Sequence, residues 1–132
     1  MKNIGKLILA IGITLLFTGS AISAELYSPA IGIHGSDSYL TCTVLNIGAK
    51  DVIGTIELCG LKGCVTKCEL VGLPLGKSLM PGEFSSCSAK ADNSGAAYCI
   101  YEIDVNPRDV RASACVTNGS SPFEIQTCVN AE

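Results

Sequence analysis

The chain reads as an all-β protein: an antiparallel β-sandwich of about seven strands, disulfide-rich, folded as one domain. Three observations predict that class. Beyond the first two dozen residues, apolar and polar positions alternate at period two, the strand period. Gly, Pro, Asn and Asp punctuate those runs at intervals suited to turns. No window carries an apolar stripe at helical spacing long enough for a packed helix.

Residues 1–24 differ in kind and read as a secretory signal peptide. Lys2 and Lys6 form a positive start, residues 7–17 are an apolar stretch, and Gly19-Ser20-Ala21 and Ile22-Ser23-Ala24 supply small residues for cleavage. The preferred cut follows Ala24, with Ala21 as the alternative. The apolar stretch falls short of the roughly 20 residues a transmembrane helix needs. Residues 25–132 are therefore the expected mature domain. Removing the two leader lysines leaves seven basic against twelve acidic residues there, a net charge near −5. With no basic run, that domain is a poor match for nucleic acid.

The strands are expected at 39–46, 52–59, 64–71, 83–89, 97–105, 110–117 and 123–129, with a short edge strand at 30–34. Turn chemistry separates them: Asn46-Ile47-Gly48, Gly60-Leu61-Lys62-Gly63, the segment 74–82, Asp92-Asn93-Ser94-Gly95, Asn106-Pro107-Arg108-Asp109 and Asn118-Gly119-Ser120-Ser121-Pro122. Alternation then assigns faces. Leu40, Cys42 and Val44 share an inward face, as do Val52, Ile56 and Leu58. Ala97, Cys99, Tyr101, Ile103 and Val105 form another, and Val110, Ala112, Ala114 and Val116 a fourth. Ile53, Thr55, Glu57, Cys59, Glu102, Asp104, Arg111, Ser113 and Cys115 are expected outside. Such a core of small and branched residues is thin, which makes covalent support useful.

That support is legible in the eight cysteines, at 42, 59, 64, 68, 87, 99, 115 and 128. An even count in a short exported chain implies a disulfide framework. Zinc at Cys59-x4-Cys64-x3-Cys68 is the alternative, but the spacing departs from paired knuckles and no His lies near. No metal or cofactor is expected. Parity places Cys42 and Cys99 inward on strands of opposite sheets and so predicts an inter-sheet bridge. Cys115 and Cys128 face outward on the last hairpin and should bridge it. For the other four, Cys59–Cys68 and Cys64–Cys87 are favoured, the remaining pairings staying open.

The run Leu40-Thr41-Cys42-Thr43-Val44-Leu45-Asn46-Ile47-Gly48, followed by a strand and by Leu79-Met80-Pro81-Gly82-Glu83, resembles bacterial immunoglobulin-like sandwiches of the CARDB type, the cell-adhesion-related domains. The resemblance covers roughly residues 38–117. It implies an immunoglobulin-like fold and an extracellular setting. The chain departs from it in cysteine density and in the 59–68 loop, and Tyr98 directly precedes Cys99 where antibody domains have Tyr-x-Cys.

Few residues could carry catalysis. His34 is the only histidine, with Ser36, Asp37 and Ser38 close in sequence, which does not make a triad in space. Glu102 and Asp104 could pair for glycoside chemistry, or simply solvate an outer face. Asp92-Asn93-Ser94-Gly95 lacks the spacing of a calcium loop. Leu73-Pro74-Leu75-Gly76 lacks the lysine of a phosphate cradle. Asn118-Gly119-Ser120 is a glycosylation sequon. The 59–68 segment, with three Cys, two Gly and the lysines Lys62 and Lys67, is the candidate recognition loop. The expected function is a secreted or periplasmic, non-enzymatic binding or adhesion-type module. Its expected partner is an unidentified protein or component of the cell envelope, not nucleic acid and not a membrane once the signal is removed. A structural subunit of a surface fibre and a small secreted enzyme inhibitor are the alternatives. Carbohydrate binding would have to manage without Trp, the usual stacking platform.

Overall fold

The computed structural model describes residues 23–33, 38–72, 76–91, 95–118 and 125–132. Within them the chain forms nine strands, one 3₁₀ turn at Pro107–Asp109 and no α-helix. The strands are β1 (Ala24–Tyr27), β2 (Ile31–Gly32), β3 (Ser38–Asn46), β4 (Gly54–Gly60), β5 (Gly63–Glu69), β6 (Phe84–Lys90), β7 (Ala96–Ile103), β8 (Val110–Asn118) and β9 (Ile125–Asn130). All pairings are antiparallel. One sheet runs β1-β7-β4-β5 with β2 also on β7, and the other runs β6-β3-β8-β9.

The inward faces follow parity. Leu40, Cys42 and Val44 of β3, Ile56 and Leu58 of β4, Ala97, Cys99, Tyr101 and Ile103 of β7, and Val110, Ala112, Ala114 and Val116 of β8 are all buried in one shared core. Val105 packs against it only in part. Val52 is buried outside any strand, through an isolated bridge to Leu79, so β4 starts two residues later than the alternation indicates. Gly54 opens β4 because a side chain there would run into the Glu102 carbonyl of β7.

The described residues hold one strand more than the seven and the short edge strand expected from the sequence. β1 was not expected, since Ala24 was read as the end of the leader. It pairs with Ile103, and Leu26, two residues on, is buried. The chain leaves β7 through the 3₁₀ turn, and β8 enters the other sheet beside β3, while β1 occupies the edge of β7. The Asn106 side chain caps the 3₁₀ turn by accepting from the Arg108 N–H at 3.0 Å. That cap reverses the chain toward the second sheet.

Both open sides between the sheets are closed. On one side Cys68 of β5 is bonded to Cys87 of β6. On the other, Tyr27 at the end of β1 and Glu132 beyond β9 exchange backbone hydrogen bonds at 3.2 Å in each direction. Through the middle, Cys42–Cys99 joins β3 to β7, with both residues fully buried. Cys115–Cys128 crosses β8 and β9, where the two residues sit directly opposite. These last two are the pairs parity predicts.

The other two correct the expected Cys59–Cys68 and Cys64–Cys87. The bridges are Cys59–Cys64 and Cys68–Cys87. The cause is a bulge. Leu58 faces Thr66 but Cys59 faces Cys64, so β5 carries one extra residue, Val65. An extra residue resets the alternation. Cys68, level with inward Ile56, therefore reaches across to inward Cys87, while Cys64 lies against its hairpin neighbour. Cys59, which alternation puts outside, keeps its place beside Glu57 and is nonetheless buried, bonded there to Cys64.

Candidate recognition site at the pinned hairpin

β4 and β5 meet in a tight turn at Leu61 and Lys62, and the Cys59–Cys64 bridge closes the turn a residue below its base. Gly63 has φ +105°, a left-handed conformation that glycine adopts without Cβ strain. The turn thus needs Gly63 to reverse and the bridge to hold. At its tip two apolar side chains point to solvent: Leu61 is 75% exposed and Val65 71%. Exposed leucine on a covalently held turn is the feature that distinguishes this end of the molecule.

Beneath the tip a cavity of about 190 Å³ opens between the ends of the two sheets. Leu58, Cys59 and Val65 line one wall, Leu40, Ala89 and Ala91 the other, with Ile33 and Ala97 toward the side. Its origin is residue size. Facing sheets stand about 10 Å apart, and alanines at 89, 91 and 97 with glycines at 60 and 63 leave that gap unfilled. Lys62 and Lys90 put cations on its rim. The lining is otherwise apolar, a surface suited to holding a small apolar group beside an anion.

Lys67 does not belong to this site. It stands on the outer face of its sheet, where its Nζ lies 2.7 Å from Glu57 Oε1 and 3.3 Å from Glu102 Oε2. The hydrogen bond to Glu57, then that to Glu102, raises the Lys67 pKa above its ordinary value. The Thr55 hydroxyl donates to Glu102 at 3.0 Å, and with Lys67 it holds the Glu102 carboxyl below the usual range. A carboxyl held ionised is a poor general acid, and Asp104 is turned to its own task, accepting the Ile53 N–H at 2.7 Å. Each carboxylate of the candidate pair thus has its own partners, Thr55 and Lys67 for Glu102 and the Ile53 N–H for Asp104.

Glu57, Cys59 and Cys64 place one donor atom each within 4.8 Å of one another. Both sulfurs are spent in their mutual bridge, so they offer no thiolate to a metal while it stands. Cys68, the third member of the zinc alternative, is bonded to Cys87. His34, Ser36 and Asp37, the segments 73–75 and 92–94, and residues 119–120 of the sequon lie outside the described residues. Sequence reasoning found the loop but missed Leu61 and Val65; an apolar residue between two turn glycines was the available signal.

No protein-family model, curated protein or solved structure matches this chain. Its reading therefore rests on its own geometry. Four disulfides are what an oxidising compartment maintains. Among the described residues no helix is long and apolar enough to cross a membrane.

Proposed function

We propose that the chain is an exported, non-enzymatic binding module, secreted or periplasmic, that takes a protein partner of the cell envelope at the pinned β4–β5 tip. The observation that carries this is the pairing of exposed Leu61 and Val65 with an apolar cavity on a turn closed by Cys59–Cys64. Ordering a loop on binding costs free energy, and a loop already closed by a covalent bond avoids most of that cost. The complementary partner surface is an apolar side chain flanked by a carboxylate, the first for the cavity and the second for Lys62. The apolar walls, lacking a histidine, carboxylate or hydroxyl among the described lining residues, favour binding over group transfer.

The test is capture from the native envelope fraction, comparing the parent chain with a Leu61→Asp, Val65→Asp double variant. Both positions are exposed, so the variant should fold. A protein retained by the parent and lost by the variant is the expected result. Identical captured sets would overturn the assignment of the tip.

A further inference from the structure

We infer that the outer face of the β6-β3-β8-β9 sheet binds an acidic polysaccharide, with the groove between Phe84 and Arg111 holding one carboxylate-bearing sugar. Charge is divided between the sheets. Strands β3, β6, β8 and β9 contain no Asp or Glu, and their charged residues are Lys90 and Arg111. Strands β1, β4, β5 and β7 carry Glu25, Glu57, Glu69 and Glu102 against Lys67. In a chain of net negative charge, that division leaves one face attractive to anions.

Register shows what stands on that face. Phe84, Leu45 and Arg111 form one cross-strand row, and Ser86, Thr43, Ser113 and Asn130 the next. Ser88 and Thr41 follow, their hydroxyls 2.8 Å apart, and then Lys90 beside Tyr39. An aromatic ring and a cation thus occur together at both ends of a hydroxyl lane. From Tyr39 to Leu45 the lane is on the order of 20 Å long at about 3.4 Å per residue.

The groove at one end, about 350 Å³, is lined by Thr43, Leu45, Phe84, Arg111, Ser113 and Asn130. Phe84 is 67% exposed in a domain whose core is thin, so its ring is withheld from the place where it would stabilise most. An exposed aromatic ring suits the C–H face of a pyranose. A guanidinium suits its carboxylate through a forked pair of bonds, and the hydroxyls and Asn130 amide suit its diols. Arg111 is held at the groove edge by an Nη1 bond to the Val110 carbonyl at 3.3 Å. The recurrence of ring and cation at the far end selects a polymer with repeated charges over a single carboxylate. Phe84 and Tyr39 here supply the platforms that the lack of Trp put in doubt.

The test is affinity electrophoresis of the disulfide-bonded protein in gels containing polygalacturonate, with dextran and polyacrylate as controls. The expected result is retardation by polygalacturonate and not by dextran. Phe84→Ala and Arg111→Gln should each weaken it roughly tenfold, while Glu102→Gln on the opposite sheet leaves it unchanged. Both varied side chains are exposed, and unchanged thermal unfolding would verify their folds. No retardation by polygalacturonate would overturn the inference. So would equal retardation by polyacrylate that Phe84→Ala leaves untouched, which would reduce the face to plain charge attraction. A concentration-dependent dimer that Arg111→Gln dissolves, without glycan binding, would assign the face to a second copy instead. None of these outcomes depends on the hairpin tip.

Discussion

Asn46 is a buried polar residue with no exposure, and all of its side chain is used. Its Nδ2 donates to the carbonyls of Lys50 and Leu79, each at 2.8 Å, and its Oδ1 accepts the Gly48 N–H at 2.9 Å. Its own carbonyl accepts from Gly82, whose φ of +82° completes the Met80-Pro81-Gly82-Glu83 turn. The two short motifs that carried the family resemblance are thus one knot, tied by one amide. Asn46→Asp replaces two donors with an acceptor facing two carbonyls. It should cost about 3–5 kcal/mol, on the scale of a buried unpaired charge, read as a lowered urea midpoint. Tyr101 spans the sheets in a comparable way, its hydroxyl donating to the Ser113 carbonyl at 2.7 Å. Burial pushes its pKa well above the tyrosine range. The neutral form is therefore favoured by the fold. Stability should be intact below about pH 10, the unfolded value, and fall as pH rises beyond it. Tyr101→Phe should lose about 1 kcal/mol at neutral pH and show a shallower alkaline decline in denaturation midpoints.

Among the elements, the hairpin β4–β5 and the central pair β3–β7 are each held by a bridge, but the bridges differ in what they constrain. Cys42 and Cys99 are 57 residues apart, and Cys59 and Cys64 only 5. Loop-closure entropy grows with the logarithm of that span. Removing the first pair should cost about 4 kcal/mol and the second about 2. Urea unfolding of a Cys42→Ala, Cys99→Ala variant beside a Cys59→Ala, Cys64→Ala variant checks the order. The opposite ranking would mean that the hairpin bridge acts in the native state rather than on the unfolded chain. The second variant should leave the two sheets intact, because its bridge lies within one sheet, between adjacent strands.

For the whole molecule, four bridges remove eight hydrogens, and the intact mass of the oxidised protein should show that deficit against the reduced form. Eight free thiols would remove both inter-sheet bonds and the case for a rigid exported module. With domain stabilities of only about 5–15 kcal/mol, full reduction should leave the fold marginal, seen as a broad, early thermal transition. The side closed by Cys68–Cys87 should open first, since the Tyr27–Glu132 side is closed by backbone hydrogen bonds that reduction does not touch.

Much of this was legible in the chain itself. Period-two alternation is a local property, so the all-β class and the inward sets of β3, β7 and β8 could be read from neighbours in sequence. Two bridges followed from the same parity. What parity could not give is anything that depends on a residue being added or on a distant partner. The single extra residue Val65 moved two bridges, because one bulge reverses every face beyond it. β1 buries only Leu26 fully, with Ala24 packed in part against the core, and it is a strand because the edge of β7 needs hydrogen-bond partners. The departure of β8 to the second sheet is likewise a choice between two available edges, not a property of its residues. Composition determined that this chain is a bridged β domain. Only the assembly of strands into sheets decided that Glu25, Glu57, Glu69 and Glu102 would share one sheet and the Thr41, Thr43, Ser86 and Ser113 lane the other, because each sheet is built from strands far apart in sequence.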